Sequence, residues 1–258
     1  MSFIQSIILG LVEGFTEFLP ISSTGHLILI SRLFKIEQTE FLKSFEIIIQ
    51  FGAILSVIVL YFKKFLFNIE IFKRVIVAFI PTAVVGFVFY GFIKNVLLNS
   101  PTIVLWSLFL GGILIIIFEW RYSKKEFKIN SFNSFLISYR QAFWIGLFQS
   151  IAVIPGLSRS AVTILGGLWL GISRKTIVEF SFILAIPTIL GASALDLVKN
   201  VSKFSSNQID ILILGFIFSF FTALVAVKFL LSFIQKHSFI VFGIYRIILA
   251  VVFWFLLF

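Results

Sequence analysis

Apolar residues run through this chain in long blocks rather than short alternations. Five blocks, about residues 45–62, 74–93, 102–120, 180–198 and 211–232, approach or exceed the roughly 20 residues a helix needs to cross a bilayer. A sixth, about 239–257, carries one charge, Arg246, in its first half. Spanning strands are only about ten residues long, and lipid obliges the backbone to satisfy its own polar groups, so helices are expected. Two further apolar stretches are broken. One runs from Ser2 to about Phe34 and is interrupted at Pro20 and Gly25; the other runs from about Tyr139 to Ile172 and is interrupted at Pro155-Gly156. Each reads as helix, Pro-containing turn rich in hydroxyls, and helix. Because the flanks are short and both breaks carry polar residues, each is expected to be a re-entrant hairpin. Such a break is tolerated at membrane depth only where protein buries it or it lines a cavity.

The two halves resemble each other at a shift of about 135 residues. Pro20-x-x-Ser23 then falls on Pro155-x-x-Ser158, Phe45-Glu46-Ile47 on Phe180-Ser181-Phe182, and Ile113-Leu114 on Ile248-Leu249. One constant offset across several segments predicts two repeats, about 1–125 and 136–258. Each half would hold one hairpin and three spans. Three is odd, so the second repeat starts from the opposite face and is inverted. The hairpins would then enter from opposite sides and meet near the midplane, where repeat proteins with broken helices build their polar sites.

Composition agrees with lipid as the main solvent. Of 258 residues, 60% are hydrophobic and 12% charged, with a mean hydropathy of +1.14, where a soluble domain carries about 25% charged residues. The expected fold is one all-α polytopic membrane domain: six transmembrane helices and two hairpins in inverted repeats. There is no cysteine, which excludes disulfides, thiolate catalysis and Cys-ligated zinc. The net charge of +10 belongs to loops that set orientation and face anionic lipid. No basic stripe with a nucleic-acid motif accompanies it, so no nucleic acid partner is expected. On one side lie Arg32, Lys35, Lys43, Lys94, Lys199 and Lys203; on the other lie thirteen basic residues within 63–74, 121–140, 174–175 and 228–236. The richer side is assigned to the cytoplasm, which places both termini and the mouth of the first hairpin outside. A cleavable signal peptide is not expected, because the start lacks a basic segment and Glu13 and Glu17 interrupt the apolar run.

Chemistry concentrates at the breaks. Ionisable groups within apolar spans are costly and mark function by default. Glu13 and Glu17 are four apart and share a helix face. Such a pair suits a divalent cation, or one acid and one base. After Pro20, Ser22, Ser23 and Thr24 can cap the next helix, whose free N–H groups attract an anion. Gly25 allows close backbone approach. His26, one turn in, is a candidate proton carrier or nucleophile. At the second break, Arg159 opens a helix deep in apolar sequence and needs an anionic partner. Its planar fork suits phosphate, with Ser158, Ser160 and Thr163 as further donors. A structural bridge from Arg159 to Glu13 or Glu17 is the plainer expectation, and both can hold in turn: bridged when empty, phosphate-bound when loaded. Convergence of the two tips would assemble a phosphoryl-transfer or hydrolysis site for a substrate with a lipid tail and a phosphate head.

The stretches Glu13 to Leu27 and Pro155 to Thr163 resemble the two signatures of the undecaprenyl-diphosphate phosphatase family, the bacitracin-resistance type, and length and hydropathy fit from end to end. The resemblance implies removal of the terminal phosphate from undecaprenyl diphosphate to regenerate the carrier lipid for peptidoglycan synthesis. It also implies a bacterial inner-membrane enzyme open to the outer leaflet and dependent on Mg²⁺ or Ca²⁺. Glu13 and Glu17 match the family's acidic pair, Ser23 and His26 its nucleophile and acid/base positions, and Arg159 its phosphate clamp, flanked by Ser158, Ser160 and Thr163. The family usually has Gly where this chain has Ala161, a change expected to tighten the helix start without abolishing function. A transporter or flippase for a phosphorylated polyprenyl lipid is the alternative, since inverted repeats with midplane hairpins also build transporters. The type-2 phosphatidic acid phosphatases fit poorly: they need a further histidine after a Ser-Arg pair, and His237 lies far downstream. The partners implied are the lipid substrate and membrane lipid; abundant Phe leaves oligomeric state open, a homodimer included.

Overall fold

The computed structural model describes residues 1–66, 68–97, 100–123, 137–200 and 205–258, with side chains described there except at 63–66, 94–95, 123, 192–200 and 206–207. Among the described residues every regular element is helical: α1 (Phe3–Thr16), α2 (Ser23–Leu33), α3 (Glu40–Leu66), α4 (Ile69–Val88), α5 (Tyr90–Phe92) with a π turn at Ile93–Leu97, α6 (Pro101–Ser123), α7 (Tyr139–Ser150) with a 3₁₀ turn at Ile151–Val153, α8 (Arg159–Trp169), α9 (Arg174–Asn200), α10 (Ser206–Phe233) and α11 (Ile240–Leu257). Five of these, α3, α4, α6, α10 and α11, are long and apolar enough to cross a membrane, and only 22% to 44% of each crossing stretch is buried in protein. The rest of that surface is apolar and faces outward, as lipid requires, so the chain is an integral membrane protein.

Several helices begin earlier than the apolar blocks. α3 starts at Glu40 rather than near 45, α4 at Ile69 rather than near 74, and α9 at Arg174 rather than near 180. Their first turns carry charged residues (Glu40 and Lys43, Glu70, Arg174 and Lys175), and Asn68 caps α4 by accepting from the Ile71 N–H at 3.2 Å. Hydropathy marks the lipid crossing, whereas capping marks the helix. The block expected to run to 93 stops as a long helix at Val88 and continues as α5 and the π turn. The expected repeat edges near 125 and 136 lie outside the described residues, as do Lys124, Lys125, Lys128 and Lys203 of the orientation argument.

Both broken segments are helix–turn–helix units, and their local features recur 136 residues apart. Ser2 and Gln5 form a capping box at the start of α1, with bonds of 3.2 and 2.8 Å; Ser138 and Gln141 repeat it at α7, with 3.1 and 3.0 Å. α2 ends with Lys35 at φ 52 and an Ile36 N–H to Ser31 O bond of 2.9 Å; α8 ends with Gly171 at φ 79 and an Ile172 N–H to Gly167 O bond of 3.0 Å. Both are left-handed helix stops. At the breaks the two N-caps are Ser22 and Ser158, each at φ 71. The serine that corresponds to Ser158 is therefore Ser22, one residue before the Ser23 paired with it by the prolines, because capping geometry rather than proline position sets the turn.

Small residues and hydroxyls bring the helices close, as is usual in lipid, where apolar contact alone gives little drive to associate. α1 crosses α10 at Gly10, where a Cβ would stand 2.5 Å from the Gly215 carbonyl oxygen. Ser6 donates across the same contact to Ile211 O at 2.6 Å. α7 crosses α4 with Thr82 donating to Gly146 O at 3.1 Å. A backbone oxygen cannot yield to a side chain, so Gly10→Leu is expected to lower stability by about 1–3 kcal/mol. Thermal unfolding in detergent reads this, with Gly86→Ala as control, since a Cβ there meets nothing within 4 Å.

Candidate active site

The first elbow follows from α1. The Glu17 N–H bonds Glu13 O at 2.9 Å, so the helical turn continues through Glu17 and the two carboxylates share a face. Phe18, Leu19 and Ile21 are buried and seat the turn. Ser22 then adopts its left-handed conformation and accepts from the Gly25 N–H at 3.3 Å. A left-handed non-glycine residue costs on the order of 1–3 kcal/mol and persists where its surroundings demand it. The second elbow repeats this at Ser158, which accepts from the Ala161 N–H at 3.3 Å. There Gly156 (φ 95) is required, because a Cβ would lie 2.7 Å from Val104 O.

The elbows meet. Arg159 Nη2 donates to Glu17 Oε1 at 3.1 Å, with side-chain exposures of 12% and 9%. Ser23 Oγ donates to the other Glu17 oxygen, Oε2, in a short bond. Arg159 Nη1 is held by Ser181 O of α9 at 2.7 Å. Ser160 Oγ donates to Leu19 O at 2.8 Å, tying the second elbow to the first. One carboxylate thus bridges a hydroxyl from its own hairpin and a guanidinium from the other. The structure contains the bridged arrangement anticipated from the sequence.

The remaining expected site residues distribute differently. Thr163 Oγ1 donates to Arg159 O at 2.5 Å within its own helix. Together with the Ser160–Leu19 bond, this commits two of the expected phosphate-donor protons to backbone carbonyls. Ser158 Oγ lies 3.0 Å from Ser160 Oγ. Ser22 is buried as the N-cap, and Thr24 beside it is half-buried. His26 is buried and points elsewhere: Nδ1 faces Ser22 O at 2.7 Å and Nε2 faces Tyr245 Oη at 2.7 Å. A carbonyl only accepts, so Nδ1 carries a proton, and in the neutral ring the Tyr245 hydroxyl donates to Nε2. Among the described residues His26 makes no hydrogen bond to Glu17, Ser23 or Arg159.

Glu13 is fully buried, and neither carboxylate oxygen has a hydrogen-bond partner. The charged groups acting on it are Glu17, Glu46 and Arg159. Two orphaned oxygens therefore sit beside a like charge, where a cation or a proton shared with Glu17 would satisfy them. No three His, Asp or Glu side chains form a protein-only metal cage among the described residues.

Three participants were not singled out by sequence reasoning. Glu46 acts on Glu13 through its charge and accepts from Ser31 Oγ at 3.5 Å. Tyr245 holds His26. Arg246 is completely buried beside both elbows. The rule that marked Arg159, a charge inside an apolar run, also applies to Glu46 and Arg246.

Fold and site together define a polytopic helical membrane protein with a buried acid, hydroxyl and guanidinium centre assembled from two broken helices. Residues 6–252 match the family model described as "Bacitracin resistance protein BacA", and the chain belongs to that family. Among its relatives is an "Undecaprenyl-diphosphatase" of Sulfurihydrogenibium sp. (strain YO3AOP1), 52% identical over 254 residues that cover 98% of this chain and 99% of the relative. Proteins of the same description from Aquifex aeolicus and Persephonella marina are 51% and 50% identical, over 96% and 98% of each chain respectively.

Proposed function

We propose that this chain removes the terminal phosphate from undecaprenyl diphosphate, leaving undecaprenyl phosphate as carrier lipid for peptidoglycan synthesis. The observation that carries the reading is the Glu17 carboxylate, which accepts from Ser23 Oγ on one oxygen and from Arg159 on the other. In the proposed mechanism Glu17 takes the Ser23 proton as Oγ attacks the terminal phosphorus. Arg159 turns its fork from Glu17 toward the phosphate, and the helix N-termini behind Ser22 and Ser158 offer N–H groups to the remaining oxygens. The bond to the bridging oxygen breaks and Glu17 passes the proton to the departing undecaprenyl phosphate; Glu17, again a carboxylate, then takes a proton from the water that attacks the phosphoserine and returns it to Ser23 Oγ as inorganic phosphate leaves. Of the two candidate nucleophiles, this geometry favours Ser23, since both ring nitrogens of His26 are engaged. A divalent cation, Mg²⁺ or Ca²⁺, would be held by Glu13 and Glu17 and would neutralise charge on the diphosphate. The alternative, a transporter or flippase of phosphorylated polyprenyl lipid, is not favoured: the relatives are described as diphosphatases, and a carrier needs no hydroxyl paired with a base.

The architecture that goes with this reading has α9 as a sixth span and the α1–α2 and α7–α8 units as re-entrant hairpins in two inverted repeats. It is supported by the recurrence of caps, helix stops and left-handed serines 136 residues apart. The contacts are exchanged in the same sense, with α1 on α10 and α7 on α4. The basic-residue asymmetry supports an inner-membrane protein with both termini and the site facing outward.

The test is phosphate release in detergent from undecaprenyl diphosphate and from soluble pyrophosphate, with and without chelator. Release from the lipid, lost with chelator and restored by Mg²⁺ or Ca²⁺, is expected. A solubilised protein that releases no phosphate from the lipid under any divalent condition would sink the reading.

A further inference from the structure

Arg246 on α11 has no exposed surface and no carboxylate partner among the described residues. Its guanidinium has five N–H donors, and each meets a backbone carbonyl. Nε reaches Leu108 O at 3.3 Å and Nη2 reaches Ser107 O at 3.0 Å, both on α6. Nη2 also reaches Gly156 O at 2.7 Å, and Nη1 reaches Leu157 O at 2.9 Å, both in the second elbow. The second Nη1 donor reaches Pro20 O at 3.4 Å, in the first elbow. These elbow carbonyls lie one or two residues before the two left-handed N-caps. A fully buried charge without an ion partner is costly, and a structural need for apolar filling would be met by Leu or Met. What a planar five-donor fork provides, and an apolar residue or lysine does not, is simultaneous fixation of two separate turns against one helix.

We infer that Arg246 is a positioning residue for the phosphatase reaction: it locks the two elbows in register, so that Ser23 and Glu17 from one face Arg159 from the other. This rests on the proposed assignment of Arg159, Glu17 and Ser23. The fold leaves space for the clamp at Gly111 of α6, where a Cβ would collide with Nη2 and stand 2.9 Å from Cζ. Gly111→Ala therefore displaces the guanidinium without deleting a donor, a charge or any residue of the site.

The experiment measures kcat and KM for phosphate release from undecaprenyl diphosphate, and the thermal midpoint, for Gly111→Ala, Arg246→Lys, Arg246→Met and the control Gly86→Ala. Misplacing reacting groups by about 1 Å can cost about 100-fold. Gly111→Ala is expected to lose about 10-fold in kcat and Arg246→Lys about 100-fold. KM should move far less than kcat, the midpoint of Gly111→Ala should stay near the parent's, and Gly86→Ala should match the parent throughout. Combined with Arg159→Ala, Gly111→Ala should cost little more than Arg159→Ala alone, because the clamp acts through what it aligns; a purely structural role would give additive losses. Parental kcat in both Gly111→Ala and Arg246→Met, or additivity with Arg159→Ala, overturns the inference. Parental kcat in Arg159→Ala alone instead overturns the site assignment on which it rests.

Discussion

Arg159→Ala is expected to lower kcat for phosphate release from undecaprenyl diphosphate by about 10²–10³-fold, the usual cost of removing a preorganised donor from developing negative charge. Two contacts aim the guanidinium: Nη1 on Ser181 O at 2.7 Å and Nη2 on Glu17 Oε1 at 3.1 Å. The first holds it to α9, and the second is exchangeable for a phosphate oxygen, so the empty site keeps the fork in place. Lysine offers one point charge and cannot keep both contacts, so Arg159→Lys should recover little. The carbonyl contact does not depend on substrate, and in the proposed mechanism Arg159 meets only the phosphate head, so the loss should fall on kcat more than on KM. Steady-state kinetics across lipid concentrations decide the matter. A variant with parental kcat would mean that Arg159 only bridges hairpins.

Much of this arrangement was legible in the chain because lipid makes exceptions costly. Pro20 and Pro155-Gly156 stand out in apolar sequence, and Glu13, Glu17 and Arg159 stand out as charges that need partners. The i, i+4 spacing of the carboxylates alone places them on one helix face. Where tertiary contacts decide, the sequence was silent. Arg246 finds its acceptors in carbonyls of three separate segments, and carbonyls carry no side-chain signature. Tyr245 meets His26 across 219 residues, and that contact turns His26 away from Glu17. Ser160 and Thr163 are hydroxyls in the right place whose protons go to backbone carbonyls, a distinction that composition cannot make. Equivalent prolines pair Ser23 with Ser158, one residue off, because the left-handed caps at Ser22 and Ser158 define the turns.

Glu17→Gln is expected to lose about 10²–10⁴-fold in kcat, the range for removal of a general base. The amide keeps the shape but not the chemistry. Its oxygen can accept from Arg159 or from Ser23, and its NH₂ then faces the other group as a donor, so no atom is left to take the Ser23 proton. The same change leaves Arg159 without its counter-charge in a site that is nearly closed to water, which by itself lowers stability by about 3–5 kcal/mol when a buried pair is broken. Loss of activity in Glu17→Gln alone would therefore mix two causes. Ser23→Ala separates them, because the Glu17–Arg159 pair stays intact and the thermal midpoint should remain near the parent's while kcat falls as far. Residues acting as one unit lose activity non-additively, so Glu17→Gln with Ser23→Ala should be no slower than the slower single variant. Near-parental turnover in Ser23→Ala would remove Ser23 as nucleophile and transfer that role to His26, which would first have to break its bond to Tyr245.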